Sequence, residues 1–256
     1  MKKVRGIFIK NEKEIELLRQ ANRIVSRIHD AFAAEIRPGL STMHFEETAQ
    51  RLCKEYKVKP AFQGYHGFPF ALCVSVNDEV VHGFPSDKRI LEEGDIVSFD
   101  MGVVYEGFYG DAARTLAVGK IAPEAQRLID VTYESLMQGI AQAKAGGCLY
   151  DISAAVQQHV EGAGFNVVKR FVGHGVGRAL HEKPEVPNFV VPGLTGPELM
   201  PGMVLAIEPM VTAGRPDVDI LDDEWTAVTR DGSLAAHWEH SIAITSGGPL
   251  ILSLSE

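Results

Sequence analysis

Apolar positions along the chain change period several times, and each period predicts an element. Ile15, Leu18, Ile24, Val25, Ile28 and Phe32 recur at helical spacing, with Asn11 as N-cap and Glu14 as its capping-box partner. "RPGLST" ends that helix and opens a second, which runs to about Tyr56. The loop "QGYHGFP" leads into a strand around Leu72–Val76, and a β-hairpin follows around residues 96–118. Pro123 suits a first helical position and opens a long helix to about Lys144. "AGGCLYD" begins a fourth helix that ends near Gly162–Gly164. Beyond it the pattern predicts a strand near Val167–Val172, a Pro-rich loop at 183–201, and strands around 203–212, 225–231 and 237–245.

The order helix, helix, strands therefore occurs twice. "GDIVSFDM" (94–101) and "GMVLAIEP" (202–209) also align without gaps, each placing an acid six residues after a glycine, at the end of an apolar run. A single domain over 1–256 with pseudo-repeat halves, about 10–122 and 123–256, and a site between them would explain the echo.

Those closing acids raise the chemical question. Asp100 and Asp111 both lie in the hairpin "FDMGVVYEGFYGDAARTL", where Glu106-Gly107 supplies the turn. A turn centred between Tyr105 and Glu106 would set the two aspartates directly opposite, where like charges destabilise a sheet. Either one is protonated or a cation lies between them. Glu208 follows four apolar residues and precedes a proline, and Glu239 leads into another apolar strand. A single acid at a strand end is usually a surface residue or a cap. Four of them in apolar strands would cost many kcal/mol to bury without cations, so divalent metal is the economical explanation. His174, in "FVGHGVGRALHE", stands among glycines that leave its ring uncrowded. Four carboxylates and one imidazole suit two ions of the Mn, Fe or Co kind better than a structural zinc. Such a pair activates water and polarises a carbonyl, which is hydrolase chemistry. His82 and His181 lie outside the ligand set and could donate hydrogen bonds or protons to a substrate. His29, His44 and His159 fall on helix patterns and read as structural, while His66 and His240 stay open.

Composition narrows the setting. The 256 residues are 45% hydrophobic with a formal net charge of −9, which suits a globular chain and argues against a general nucleic-acid binder. No apolar run approaches the ~18 residues of a membrane span. The three scattered cysteines, Cys53, Cys73 and Cys148, suggest reduced thiols and a cytoplasmic location. The basic N-terminus (Lys2, Lys3, Arg5, Lys10) is either a solvated tail or a contact surface.

Taken together, "EIELLRQANRI", "GYHGFPF", "VSVNDEVVHGFP", "LEEGDIVSFDMG", "GFYGDAARTLAVG", "GHGVGRALHEKPEVPNF", "LAIEPM" and "HWEHSIAIT" resemble the type I methionine aminopeptidases in their bacterial short form. The resemblance spans nearly the whole chain. It implies a pita-bread α/β (α+β) fold with pseudo-twofold symmetry, an antiparallel sheet covered by helices and a metal site between the halves. It further implies two divalent ions held by Asp100, Asp111, His174, Glu208 and Glu239, with Asp111 and Glu239 bridging both. In the implied mechanism a metal-bridging hydroxide attacks the first peptide carbonyl, Glu208 shuttles the proton, His181 steadies the oxyanion and His82 lies near the leaving group. The methionine pocket would use Tyr65, Cys73 and Trp225, with Phe68 and His82 at its edges. Phe62, Phe68 and Leu180 depart from residues common in the family, whereas the five ligands do not. The proline-specific relatives on the same fold usually carry an extra N-terminal domain, which this chain is expected to lack. The implied partners are nascent polypeptides and peptides with N-terminal methionine, met at the ribosome by a monomer.

That family removes methionine before a small second residue. Here the second residue is Lys2, so the chain is expected to keep its own Met1. Intact-mass analysis of the mature protein should show Met1 present, and its loss would contradict the expected rule.

Overall fold

Asn11 closes the capping box that the sequence predicts. Its Oδ1 accepts the Glu14 N–H at 3.0 Å, and the Glu14 carboxylate accepts the Asn11 N–H at 3.0 Å. Helix α1 (Glu12–Glu35) follows, and helix α2 (Thr42–Glu55) is capped by Ser41, whose hydroxyl accepts the His44 N–H. The computed structural model describes residues 2–254, so Met1 and the question of its retention lie outside the described residues. Phe32 of α1, Phe45 of α2 and Phe99 meet ring to ring at 4.7–5.7 Å. This cluster seats both helices on an antiparallel sheet of Lys59–Pro60, Leu72–Val76, Ile96–Tyr105 and Phe108–Ala117.

The later residues repeat the plan. Helix α3 (Pro123–Gln142) starts with proline at its first position, and helix α4 (Leu149–Gly162) ends at the predicted glycine. Leu136, Ile140, Leu149 and Ile152 pack on Leu205, Ile207 and Ile242 of a five-stranded antiparallel sheet. Its strands are Glu182–Val186, Gly173–Gly175, Val204–Ile207, His240–Thr245 and Gly248–Ile251, in that order. Among the described residues, two three-stranded antiparallel sheets and a two-stranded one at the N-terminus complete the framework.

Several strand expectations need correction. The strand expected over Val167–Val172 is only Asn166–Val167, and the chain resumes extended pairing at Gly173. The strand expected over 203–212 is split into Val204–Ile207 and Met210–Thr212, because Pro209 has no N–H to continue the ladder. The loop expected from 183 begins instead with the strand Glu182–Val186. The N-terminal segment is no plain tail: Lys2–Val4 pairs with Ile7–Ile9 around Arg5-Gly6.

The hairpin register also differs from the expectation. Glu106 (φ 50°) and Gly107 (φ 77°) both adopt positive φ, as a two-residue type I′ turn requires. The closing pair is therefore Tyr105 with Phe108, which moves the register by two. Asp100 faces Ala113 and Asp111 faces Gly102. The aspartates are diagonal neighbours on one face rather than directly opposed, at the wider spacing such neighbours have.

The strand Phe108–Ala117 is tied on its far side to the segment before the last long strand. Thr115 Oγ1 donates to the His237 carbonyl and accepts the His237 N–H, at 2.8 and 2.9 Å. The Glu239 N–H donates to the Ala113 carbonyl at 2.9 Å, and Ser241 Oγ to the Asp111 carbonyl at 2.9 Å. Alternate residues of one segment thus bond to alternate residues of the other. On the helix side, buried Asn22 of α1 accepts the Asp111 N–H at 3.1 Å.

That helix contact depends on Gly110. A Cβ there would lie 2.6 Å from the backbone of Ala21, because α1 rests directly on the strand. Gly110→Ala is expected to destabilise the protein by about 2 kcal/mol, as overpacking does. Urea unfolding with an unchanged midpoint would contradict this.

Candidate metal centre

The five candidate ligands reach one cavity from four local structures. Asp100 and Asp111 project from the two arms of the hairpin. His174 sits in the short strand Gly173–Gly175, opposite Ala206. Glu208 and Glu239 come just past the end of one ladder, whose last pair is Ile207 with His240, so continuing the register sets one acid opposite the other. All five line a cavity of about 430 Å³. Ligand atoms of Asp111, His174 and Glu239 fall within 4.8 Å of one another, and all three residues are buried. His174 Nε2 lies 3.7 Å from Asp111 Oδ2 and 3.4 Å from Glu208 Oε1.

The electrostatics show what the cluster lacks. Asp100 Oδ1, Asp111 Oδ1 and Glu239 Oε1 are buried without a hydrogen-bond partner. Burial, with the neighbouring acids adding to it, pushes Asp111 and Glu239 well above the carboxylate range. Burial raises Asp100 to about 7 and Glu208 to about 8. The His174 imidazole is held neutral by burial, its pKa lowered to about 3, and its Nδ1 is paired with the Gly175 carbonyl. Orphaned oxygens and a neutral imidazole fit divalent cations, which would ionise the acids and supply the missing partners.

The remaining candidates line the same cavity: His82, His181, Tyr65, Phe68, Cys73 and Trp225. Tyr65 Oη and His181 Nδ1 are 2.7 Å apart. Phe68 meets Trp225 edge to face at 5.1 Å, and His82 meets Phe171 likewise at 5.3 Å. His82 holds φ at 61°, a strained setting for a non-glycine residue, and burial lowers its pKa to about 4. Burial keeps the Cys73 thiol protonated. Phe62 and Leu180 also line the wall.

The chain matches the metallopeptidase family M24 over residues 16–246. It is 49% identical over 250 residues to a methionine aminopeptidase of Clostridium acetobutylicum, covering 98% of this chain and 100% of that one. A crystal structure of methionine aminopeptidase from Thermotoga maritima matches with a TM-score of 0.95 and 47% identity, over 98% of this chain and 100% of that one. The chain belongs to the methionine aminopeptidases of family M24. Its fold is the pita-bread fold, and membership of M24 carries divalent-metal use with it. An Xaa-Pro dipeptidase from Bacillus anthracis shares the fold alone, with a TM-score of 0.77 at 23% identity; this chain covers 62% of it. Among the described residues, no helix is long and apolar enough to cross a membrane.

Of the undecided histidines, His66 lines the cavity, whereas His240 lies behind it, bonded to Ser253 Oγ at 2.8 Å. His29, His44 and His159 pair with Ala112, Glu35 and Glu134 away from the cavity. The sequence reading does not single out His237, whose Nε2 lies 3.6 Å from Glu208 Oε2. Its position two residues before Glu239, hence on the same side of an extended segment, is the signal that could have found it. Nor does it single out Arg170 and Phe171 at the cavity wall.

Raised carboxyl pKa values mean that the folded, metal-free protein binds more protons than the unfolded chain. Their stabilising contribution is complete below the ordinary range and is lost as pH rises through about 7 for Asp100 and about 8 for Glu208. His174 acts oppositely: its lowered pKa contributes stability above the ordinary 6.5, lost as pH falls toward about 3. Near pH 6 the acids must shed protons before they can ligate. Calorimetric titration of Mn²⁺ into metal-free protein, in buffers of different ionisation enthalpy, should show proton release that shrinks as pH rises. Heats independent of buffer near pH 6 would contradict the reading.

Proposed function

We propose that this cavity is the centre at which the chain removes the N-terminal methionine from nascent proteins and peptides whose second residue is small. The observation that carries the reading is the convergence of four carboxylates and His174 beside an aromatic pocket. Asp100, Asp111, His174, Glu208 and Glu239 would hold two divalent ions of the Mn, Fe or Co class. When bound, such ions lower the pKa of a water and polarise a carbonyl.

The chain's own groups account for the rest. Tyr65, Phe68, Cys73 and Trp225 form an apolar, aromatic wall suited to an unbranched thioether side chain, and they discriminate by shape. Glu208, ionised once a cation is bound, would take a proton from the attacking water and pass it to the leaving amine. Burial also lowers the His181 pKa. In the tautomer with Tyr65 as donor to Nδ1, the neutral ring would keep Nε2–H as a donor for the developing oxyanion. His82, on its strained backbone beside Phe171 and Trp225, would hydrogen-bond near the leaving group. The two halves, 10–122 and 123–256, each contribute: Asp100 and Asp111 from the first, His174, Glu208 and Glu239 from the second. We assign the protein to the cytoplasm as a monomer acting on emerging chains. Lys10 has no part in a basic docking face, since it is 4% exposed; Lys3 and Arg5 remain exposed for ribosome contact.

Mass spectrometry of a pool holding Met-Ala-, Met-Leu-, Leu-Ala- and Ala-Pro- peptides, with a chelated control, tests the reading. Metal-dependent loss of methionine from Met-Ala- alone is expected, with Glu208→Gln slowing turnover at least about 100-fold. Cleavage of Ala-Pro- instead would move the chain to proline-specific chemistry.

A further inference from the structure

His181 stands at the end of a loop, Gly177–His181, that has no regular secondary structure of its own. A group that must meet a short-lived oxyanion needs a fixed position, and loops are the less precise place to build one. The loop is held from below by a buried ion pair. Lys10 Nζ lies 2.7 Å from Glu182 Oε2, and the two side chains are 1% and 3% exposed. Glu182, the residue after His181, uses its other oxygen to accept the backbone N–H of Arg178 at 2.9 Å and of Ala179 at 3.4 Å. Gly177 fits only because it lacks a side chain; a Cβ there would collide with the Glu182 carboxylate and the Lys10 stem. The loop's near end is pinned as well, the Gly177 carbonyl accepting the Tyr109 N–H at 2.9 Å. Lys10 is itself fixed, its N–H donating to the Gly202 carbonyl at 2.8 Å.

We propose that Lys10 is a positioning residue for His181. It belongs to the junction between the N-terminal hairpin and α1, and touches no candidate ligand. Its ammonium aligns the Glu182 carboxylate, the carboxylate gathers the two loop N–H groups, and the loop then delivers the imidazole to Tyr65 and the cavity. This rests on the oxyanion role proposed above for His181. A buried charge left without its partner is strongly destabilising, so the clean variant removes both charges: Lys10→Met with Glu182→Leu, a pair that packs while losing the loop's acceptor.

The test measures turnover on a Met-Ala- peptide, thermal unfolding and Mn²⁺ affinity for the wild type, the paired variant, His181→Ala and their combination. The paired variant is expected to stay folded and to bind Mn²⁺ within about twofold of wild type, because His174, although its ring meets that of His181 at 4.2 Å, is held by strand pairing with Ala206. Its kcat should fall about tenfold with KM little changed, and the same pair added to His181→Ala should cost less than about twofold more. A folded paired variant with undiminished kcat overturns the proposal while leaving the His181 reading intact. So does a full tenfold loss in the His181→Ala background, which would mean that Lys10 acts elsewhere. His181→Ala with unaltered kcat overturns the His181 reading first, and the role of Lys10 falls with it.

Discussion

The hydrogen-bonded join between Phe108–Ala117 and the segment 237–241 is the constraint on which the site depends. Thr115, Ala113 and Asp111 bond in turn to His237, Glu239 and Ser241. These contacts lie more than a hundred residues apart in sequence. They bring ligand atoms of Asp111 and Glu239 within 4.8 Å of one another. Each acid is held by its backbone rather than by its carboxylate, so the oxygens stay free for other partners. Asn22 beneath Asp111 completes the support. The close seat of α1 on Gly110 places that asparagine.

A geometry that gathers buried acids works against its own folding. Asp100, Asp111, Glu208 and Glu239 all have pKa values raised by burial, and three of them carry an orphaned oxygen. An apolar core of comparable size would pack without that cost. The framework carries it because the surrounding layers are extensive, with α1 and α2 on one sheet and α3 and α4 on the other. On the proposed reading, divalent cations would turn the same arrangement from a liability into a binding site. The aromatic wall lines the same cavity beside the acids.

Much of this was legible in the sequence, and the parts that were not share a cause. The capping box at Asn11 and Glu14, Pro123 at a helix start and the glycine at the end of α4 are local signals, and they locate the four helices closely. Acids in apolar strands mark the residues that gather in the cavity, since apolar periodicity makes a charge conspicuous. The hairpin register failed by two because φ at Glu106 decides the turn, and a glutamate seldom advertises a positive φ. Short strands such as Gly173–Gly175 are set by their partners, not by their own residues. His237 and the Lys10–Glu182 pair are long-range facts. Lys10 looks like one more basic residue in a basic segment until the fold places Glu182 against it, 172 positions later.

The central proposal is that Asp111 and Glu239 are brought together to hold metal. Anomalous diffraction from a crystal of the protein loaded with Mn²⁺ tests it most directly. Metal peaks are expected inside the cavity, with carboxylate oxygens of Asp111 and Glu239 in contact with them. Metal bound elsewhere, or a cavity peak that either Asp111 or Glu239 fails to contact, would contradict it.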